Sequence, residues 1–337
     1  MTKITLIGVD TAKQVFHLVG IDNHSAFVWR RRLSRAKLLP TLARLEPCRV
    51  VLEACAASHH WARQIGGLGH TVQLIAPQHV KPYRRGQKND YRDAEAIVCA
   101  ALAPGMHGVG VKTVEQQAEQ ALHRVRSRLL SQRNAAANEL RGLLGEYGLA
   151  FARGQRAVRE GALRFIDDGQ AAALGLVELI EDVLAELRGL EQRLQDYDHQ
   201  VEQRVRQDAV STRLRSELDG VGFLIASAVR VKVAEPRDFV SGRNFAAYLG
   251  LAPGHQGTGG EVRVGKLPKR RDRYVRQLLI HGARAVVSRL GDKQDAQSRW
   301  LRALVARRGF NVACVALAHR NARQAWAILA RDPATMN

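Results

Sequence analysis

The most restrictive feature of this chain is an apolar stripe in its middle. Ile180, Leu184, Leu187, Leu190, Leu194, Tyr197, Val201 and Val205 recur at steps of three and four residues. That spacing lines one face of a helix over several turns, whereas a strand repeats its faces every second residue and cannot use it. A long helix with a single apolar seam needs another helix to bury it, so the middle of the chain is a helical hairpin or a coiled coil. A weaker stripe through Leu122, Val125, Leu129, Ala136 and Leu140 supplies a partner, and Gly145–Gly169 is expected to contain the bend.

The pattern ahead of the stripe is different. Ile4–Val9, Val15–Ile21 and Ala26–Arg30 read as strands of a meander. A helical stretch at Ala36–Leu45, a strand at Arg49–Leu52, a helix at Ser58–Leu68, a strand at Thr71–Ile75 and a helix at Asp90–Leu102 follow. Such alternation implies an α/β domain, a mixed sheet flanked by helices. After Asp208 the character changes again. Gly220-Val221-Gly222 opens an apolar helical stretch and Gly250–Gly265 is glycine-rich. From Lys266 to about Ala330 the chain is basic and helical, with Trp300, Leu301, Leu304, Val305, Val312 and Val315 available for a core. The expected division is therefore 1–110, 111–210 and 211–337: an α/β domain, a helical middle and a mostly helical C-terminal domain.

Charge narrows the partners. Lys and Arg number 52 against 32 Asp and Glu, a net charge of +20, and most of the excess lies after residue 211. A polyanionic partner follows, and nucleic acid is preferred over a membrane because no apolar run approaches the roughly 20 residues of a spanning helix. The N-terminus offers Lys3 and only a short apolar run, unlike a signal peptide, so a cytoplasmic location is expected. Cys48, Cys55, Cys99 and Cys314 are scattered, without the spacing of a zinc site or a disulfide framework.

Acidic residues stand at telling places in the first domain. Asp10 directly follows one strand-like run and Glu53 another, and the carboxyl ends of strands are where open sheets place their ligands. Asp90 and Asp93, three apart, share a helix face. Four carboxylates around one point repel unless a hard cation neutralises them, which points to Mg²⁺, with Mn²⁺ the alternative. Two such ions can serve the attacking and leaving oxygens of a phosphoryl transfer. Plainer roles exist: Asp90 as a helix N-cap, Asp93 as a first-turn acid, Asp10 as a turn former. The conjunction of all four favours the metal site. His59 and His60 are adjacent and point different ways on a helix, and Trp61 suits a core. Lys266, Lys269, Arg270, Arg271, Arg273 and Arg276 cluster after the glycine-rich segment as phosphate contacts, with Arg276 alternatively paired to Asp272. Gly220 and Gly222 either expose backbone N–H groups to a phosphate or permit a turn.

Several of these segments form a recognisable set: GVDTAK at 8–13, LEAC at 52–55, KNDYRDAEAI at 88–97, GVG at 220–222, AAYLGLAP at 246–253 and GTGGEVRVGKLPKRRDRYVRQLLIHGAR at 257–284. In this order, over almost the whole chain, the sequence resembles the DEDD transposases of insertion sequences. The resemblance implies an N-terminal RuvC-like domain of RNase H fold, a coiled-coil middle and a C-terminal transposase domain. It implies an RNA-guided recombinase, in which a noncoding RNA encoded by the element pairs with donor and target DNA. It assigns Mg²⁺ binding to Asp10, Glu53, Asp90 and Asp93, and attack on the DNA phosphate to a serine of the C-terminal domain. Domains meeting across subunits imply a homo-oligomer, a dimer or tetramer, nucleoid-associated when on DNA. The chain departs from the family at one place: Thr258 stands where that serine is expected. Threonine keeps the hydroxyl, but its methyl restricts χ1 and crowds an in-line approach, so a slower nucleophile is expected. Ser241 does not match the position. The rival expectations are a Holliday-junction-type endonuclease that uses water, and a catalytically inactive nucleic-acid-binding protein.

Overall fold

Five of the strand-like runs do pair, and they pair as a mixed sheet. In the computed structural model, which describes residues 3–84, 89–258, 261–268 and 273–332, the strands are β1 (Leu6–Thr11), β2 (Val15–Ile21), β3 (Phe27–Ser34), β4 (Arg49–Glu53) and β5 (Thr71–Ile75). Their order is β3-β2-β1-β4-β5. The first three are antiparallel neighbours, and β4 and β5 run parallel to β1. β1 extends beyond Val9, and β4 includes Glu53, so Asp10 and Glu53 lie within their strands rather than after them.

Period-two alternation gives the sheet two buried faces. Ile7, Val9, Phe16, Leu18, Val50 and Leu52 pack with Leu38 and Leu42 of α1 (Leu38–Leu42) and with Trp61 and Ile65 of α2 (Ser58–Gly66). The short α3 (Pro77–Val80) leads on towards α4 (Asp90–Leu102), which covers the other face. There Leu6, Ile21, Val51 and Ile75 meet Ile97 and Val98 of α4. Gly8 makes this approach possible, because a Cβ on it would stand 2.5 Å from the Ala94 carbonyl oxygen and 2.6 Å from Val98 Cγ2. The sheet and its helices belong to a unit formed by Met1–Gln116, Val233–Asn244 and Leu329–Asn337; Gln117–Lys232 and Phe245–Ile328 form a second.

The second unit is helical. α5 (Val114–Gly145) and α8 (Val177–Gln207) bury their stripes against each other. Leu129 meets Leu190 and Leu194, while Ala136, Leu140 and Leu144 cluster with Ile180, Leu184 and Leu187. Numbers rise along one helix as they fall along the other, so the pair is antiparallel. The expected bend is more than a bend: it contains α6 (Gln155–Asp167) and is followed by α7 (Gln170–Ala173). Val158, Ala162 and Phe165 of α6 join the core of the pair. Next come α9 (Ala209–Glu217), α10 (Phe223–Lys232), α11 (Gly242–Tyr248), the hairpin of β6 (His255–Thr258) and β7 (Glu261–Val264), α12 (Arg273–Val287), α13 (Ala296–Arg308) and α14 (Phe310–Ala330). Gly220 takes φ +78° and a Cβ there would meet the Gly282 carbonyl oxygen at 2.5 Å. The turn reading therefore accounts for Gly220, which lets the chain press directly on α12. Two expected core residues are not core. Trp300 and Val312 are 37% and 44% exposed, and α14 instead buries Ala313, Cys314, Leu317 and Ala318. No helix among the described residues is long and apolar enough to cross a membrane.

Candidate metal centre

The alternation that puts Gly8 under α4 also puts Asp10 on that face, one step towards the amino end of the helix. α4 begins at Asp90 and carries Asp90 and Asp93 in its first turn. Asn89 caps it, its side-chain oxygen accepting from the Tyr91 N–H at 3.0 Å. The capping role open to Asp90 is therefore filled by its neighbour. In the antiparallel register Asp10 stands opposite His17 of β2. One ligand atom from each of Asp10, His17 and Asp90 lies within 4.8 Å of the others, and His17 Nδ1 is 3.6 Å from Asp90 Oδ2.

Glu53 ends β4, the parallel neighbour of β1. Arg84 ties it to α4: Nη2 donates to Glu53 Oε2 at 2.7 Å and Nε lies 3.0 Å from Asp93 Oδ1. One guanidinium thus holds two of the carboxylates together. Burial pushes the Asp10 carboxyl up to about 6, helped by the negative charges of Asp93, Asp90 and Glu53 and opposed by His17. Asp10, His17 and Asp90 form the close group, while Glu53 and Asp93, both held by Arg84, act on Asp10 through their charge. The close donor set is two carboxylates with one imidazole, and burial together with the neighbouring negative charges disfavours an ionised Asp10 in the absence of a cation. Both properties fit a divalent cation.

His17 and Arg84 were not among the sequence candidates. His17 was accessible, because pairing β1 with β2 across the short 12–14 connection sets residue 17 opposite residue 10. Arg84 gave no local signal.

The remaining candidates lie elsewhere in the chain. Thr258 is the last residue of β6, its backbone in register with Glu261 of β7. Lys266 and Arg273 are exposed. Arg276 donates from Nη1 to the Pro268 carbonyl at 2.5 Å, an anchor for the segment before α12. Lys269, Arg270, Arg271 and Asp272 lie outside the described residues. Ser241 accepts from the Asn244 N–H at 3.3 Å and so belongs to the start of α11. His59 Nδ1 accepts from the Lys112 N–H at 3.2 Å, and Trp61 is core.

A carboxylate centre on an α/β unit, in one strongly basic chain with a large helical unit, is the makeup of a DNA-processing enzyme. Comparison with known proteins agrees. Residues 7–149 match the DEDD family of IS110 elements, described as a transposase, and residues 212–300 match the family described as "Transposase IS116/IS110/IS902 family". The chain is 49% identical over 331 residues to a "Probable family 20 transposase" of Pseudomonas aeruginosa, covering 98% of each. It is 41% identical over 336 residues to the "Transposase for insertion sequence element IS1111A" of Coxiella burnetii, covering 98% of this chain and 91% of that one. It is 34% identical over 328 residues to the "Transposase for insertion sequence element IS1328" of Yersinia enterocolitica, covering 97% of each. The chain belongs to the IS110 family of transposases, enzymes that cut and rejoin DNA.

Proposed function

We propose that this chain moves its insertion sequence by strand exchange, with Asp10, Glu53, Asp90 and Asp93 as the Mg²⁺ centre and Thr258 as the attacking hydroxyl. The observation that supports the reading is the close group of Asp10, His17 and Asp90, with Glu53 and Asp93, joined by Arg84, near enough for their charges to raise the Asp10 pKa. Mn²⁺ suits the same oxygens. A divalent cation held there would supply positive charge to the phosphate oxygens while P–O bonds exchange.

The hydroxyl acts as follows. Thr258 Oγ1 gives up its proton to solvent or a base and forms a P–O bond to the DNA phosphate, while the bond from phosphorus to one sugar oxygen breaks. That oxygen leaves as the alkoxide and takes a proton. Attack by the sugar hydroxyl of a second strand reverses the step, releases Thr258 and restores a phosphodiester without consuming water. Thr258 falls inside the matched segment 212–300, which supports its candidacy. The methyl of threonine makes the step slower than with serine.

Guidance comes, in this reading, from a noncoding RNA of the element that pairs with donor and target DNA. The net charge of +20 supports a protein loaded with two polyanions. The order β3-β2-β1-β4-β5 supports a RuvC-like version of the RNase H fold. The division 1–110, 111–210 and 211–337 is retained as a division of labour, acids in the first part and hydroxyl with basic cluster in the third. One phosphate must meet both, which a homo-oligomer, dimer or tetramer, would arrange across its subunits. The protein would act in the cytoplasm, on the nucleoid. One residue favours hydrolysis by water at the same acids instead: a threonine in place of the serine.

Purified protein, incubated with its element's RNA, donor and target DNA and Mg²⁺, should yield recombinant junctions. None from wild type, with cleavage products alone, would overturn the reading.

A further inference from the structure

Within the second unit, α5, α10 and α12 bury a run of polar side chains that strand exchange does not use. His123 is 5% exposed and Ser227 fully buried. His123 Nε2 lies 2.7 Å from Ser227 Oγ, and Nδ1 lies 3.0 Å from the Tyr274 hydroxyl. Ser227 gives its one hydroxyl proton to Glu119. With that proton committed, Ser227 accepts from His123 Nε2–H. Burial keeps the imidazole neutral by lowering its pKa to about 4, so Nδ1 accepts from the Tyr274 hydroxyl. Arg126, paired with Asp198, also bonds to the Tyr274 phenol. Each member is satisfied, so the network is rigid, and what it fixes is the ring of Tyr274.

That ring walls a cavity of about 280 Å³. Ala228, Val231 and Val275 make its apolar side, and Gln120 offers a carboxamide. Its charged lining residues are both cations, Arg124 and Lys232, the latter with its ammonium 5.1 Å from the Tyr248 ring. Among the described residues no carboxylate lines it. The Tyr274 ring beside apolar side chains suits a ring system, the carboxamide suits a base edge, and the two cations suit a phosphate. The volume sits at the lower limit for ligand sites, roughly 300 Å³, enough for one nucleotide and too small for a base pair. A base stacked in a duplex could not enter.

We infer that this cavity takes one unpaired nucleotide, its base against Tyr274 and its phosphate on Arg124 and Lys232. The inference rests on the nucleic-acid part of the reading above. Tyr274 directly follows Arg273, at the start of the basic helix α12, so such a nucleotide would fix the register of the polymer that this helix contacts.

The test uses the full chain and fluorescence anisotropy. A fully paired DNA duplex is compared with the same duplex carrying a one-nucleotide 2-aminopurine bulge, and a matching RNA pair is measured alongside. The bulged form should bind about fivefold tighter or more, as expected for one base stacked on an aromatic ring. A preference in the DNA pair identifies DNA as the source, and one in the RNA pair identifies RNA. Arg124→Ala, and separately Ser127→Trp, which fills the cavity from its half-buried lining, should abolish the preference while thermal melting stays near wild type. Equal affinities in both pairs, or a preference surviving both variants, would overturn the inference. No preference with strand exchange intact sinks the cavity alone; failed strand exchange with the preference intact sinks the transposition reading alone.

Discussion

Asp10 holds its proton far more tightly than a free carboxyl does, with its pKa raised from 3.8 to about 6. A raised folded-state value means that stability is fully present below about 3.8 and is lost as pH rises through about 6. Metal-free protein should therefore melt lower at pH 7.5 than at pH 4.5 on account of this group. Asp10→Asn removes the penalty. After discounting for the part of the group that solvent screens, about 1 kcal/mol remains, so the metal-free variant should melt roughly 2–4 °C above wild type at pH 7.5. Adding Mg²⁺ should raise wild type and leave the variant little changed. Differential scanning fluorimetry in chelator and then in Mg²⁺ reads both effects, and equal melting of the two proteins in chelator would contradict the electrostatic account. Residue type and place made Asp10, Glu53, Asp90 and Asp93 nameable from sequence, since each adjoins a periodic run. His17 and Arg84 were not named, because one depends on cross-strand register and the other on tertiary contact.

At the scale of elements, the close approach of α4 to β1 decides whether Asp90 and Asp93 reach Asp10. Gly8 permits it, and any side chain there must displace the Ala94 carbonyl or Val98. Gly8→Val should destabilise the protein by roughly 1–3 kcal/mol through overpacking. It should also lower strand exchange by about 100-fold at a temperature where the protein is folded, as expected when reacting groups move by an ångström. Wild-type activity in folded Gly8→Val would show that α4 does not position the acids. α4, β2 and β5 have the bounds the sequence suggested, since each combines strong periodicity with clear ends. α6 was hidden in the expected bend, because its apolar face of Val158, Ala162 and Phe165 is narrow and flanked by glycine.

At the scale of the molecule, the net charge of +20 should make nucleic-acid binding strongly salt-dependent. Arg273, exposed at the start of α12, is a phosphate candidate. Arg273→Ala should weaken binding to all sequences alike and reduce the slope of log affinity against log salt by about 1. An unchanged slope in a titration series would remove it from the interface. The grouping of Val233–Asn244 and Leu329–Asn337 with the N-terminal unit had no sequence signal, since changes of pattern along a chain do not reveal which distant segments return. Asp10, Glu53, Asp90 and Asp93 lie in one unit and Thr258 in the other, and in the proposed reaction both act on one phosphate. The direct measurement is a denaturing gel of labelled donor DNA after incubation with protein, RNA and Mg²⁺. A protease-sensitive protein–DNA adduct should form with wild type, persist or increase with Thr258→Ser, and vanish with Thr258→Ala and with Asp10→Asn. Cleavage that continues unchanged in Thr258→Ala, with no adduct trapped from any variant, would contradict the account and assign the cut to water.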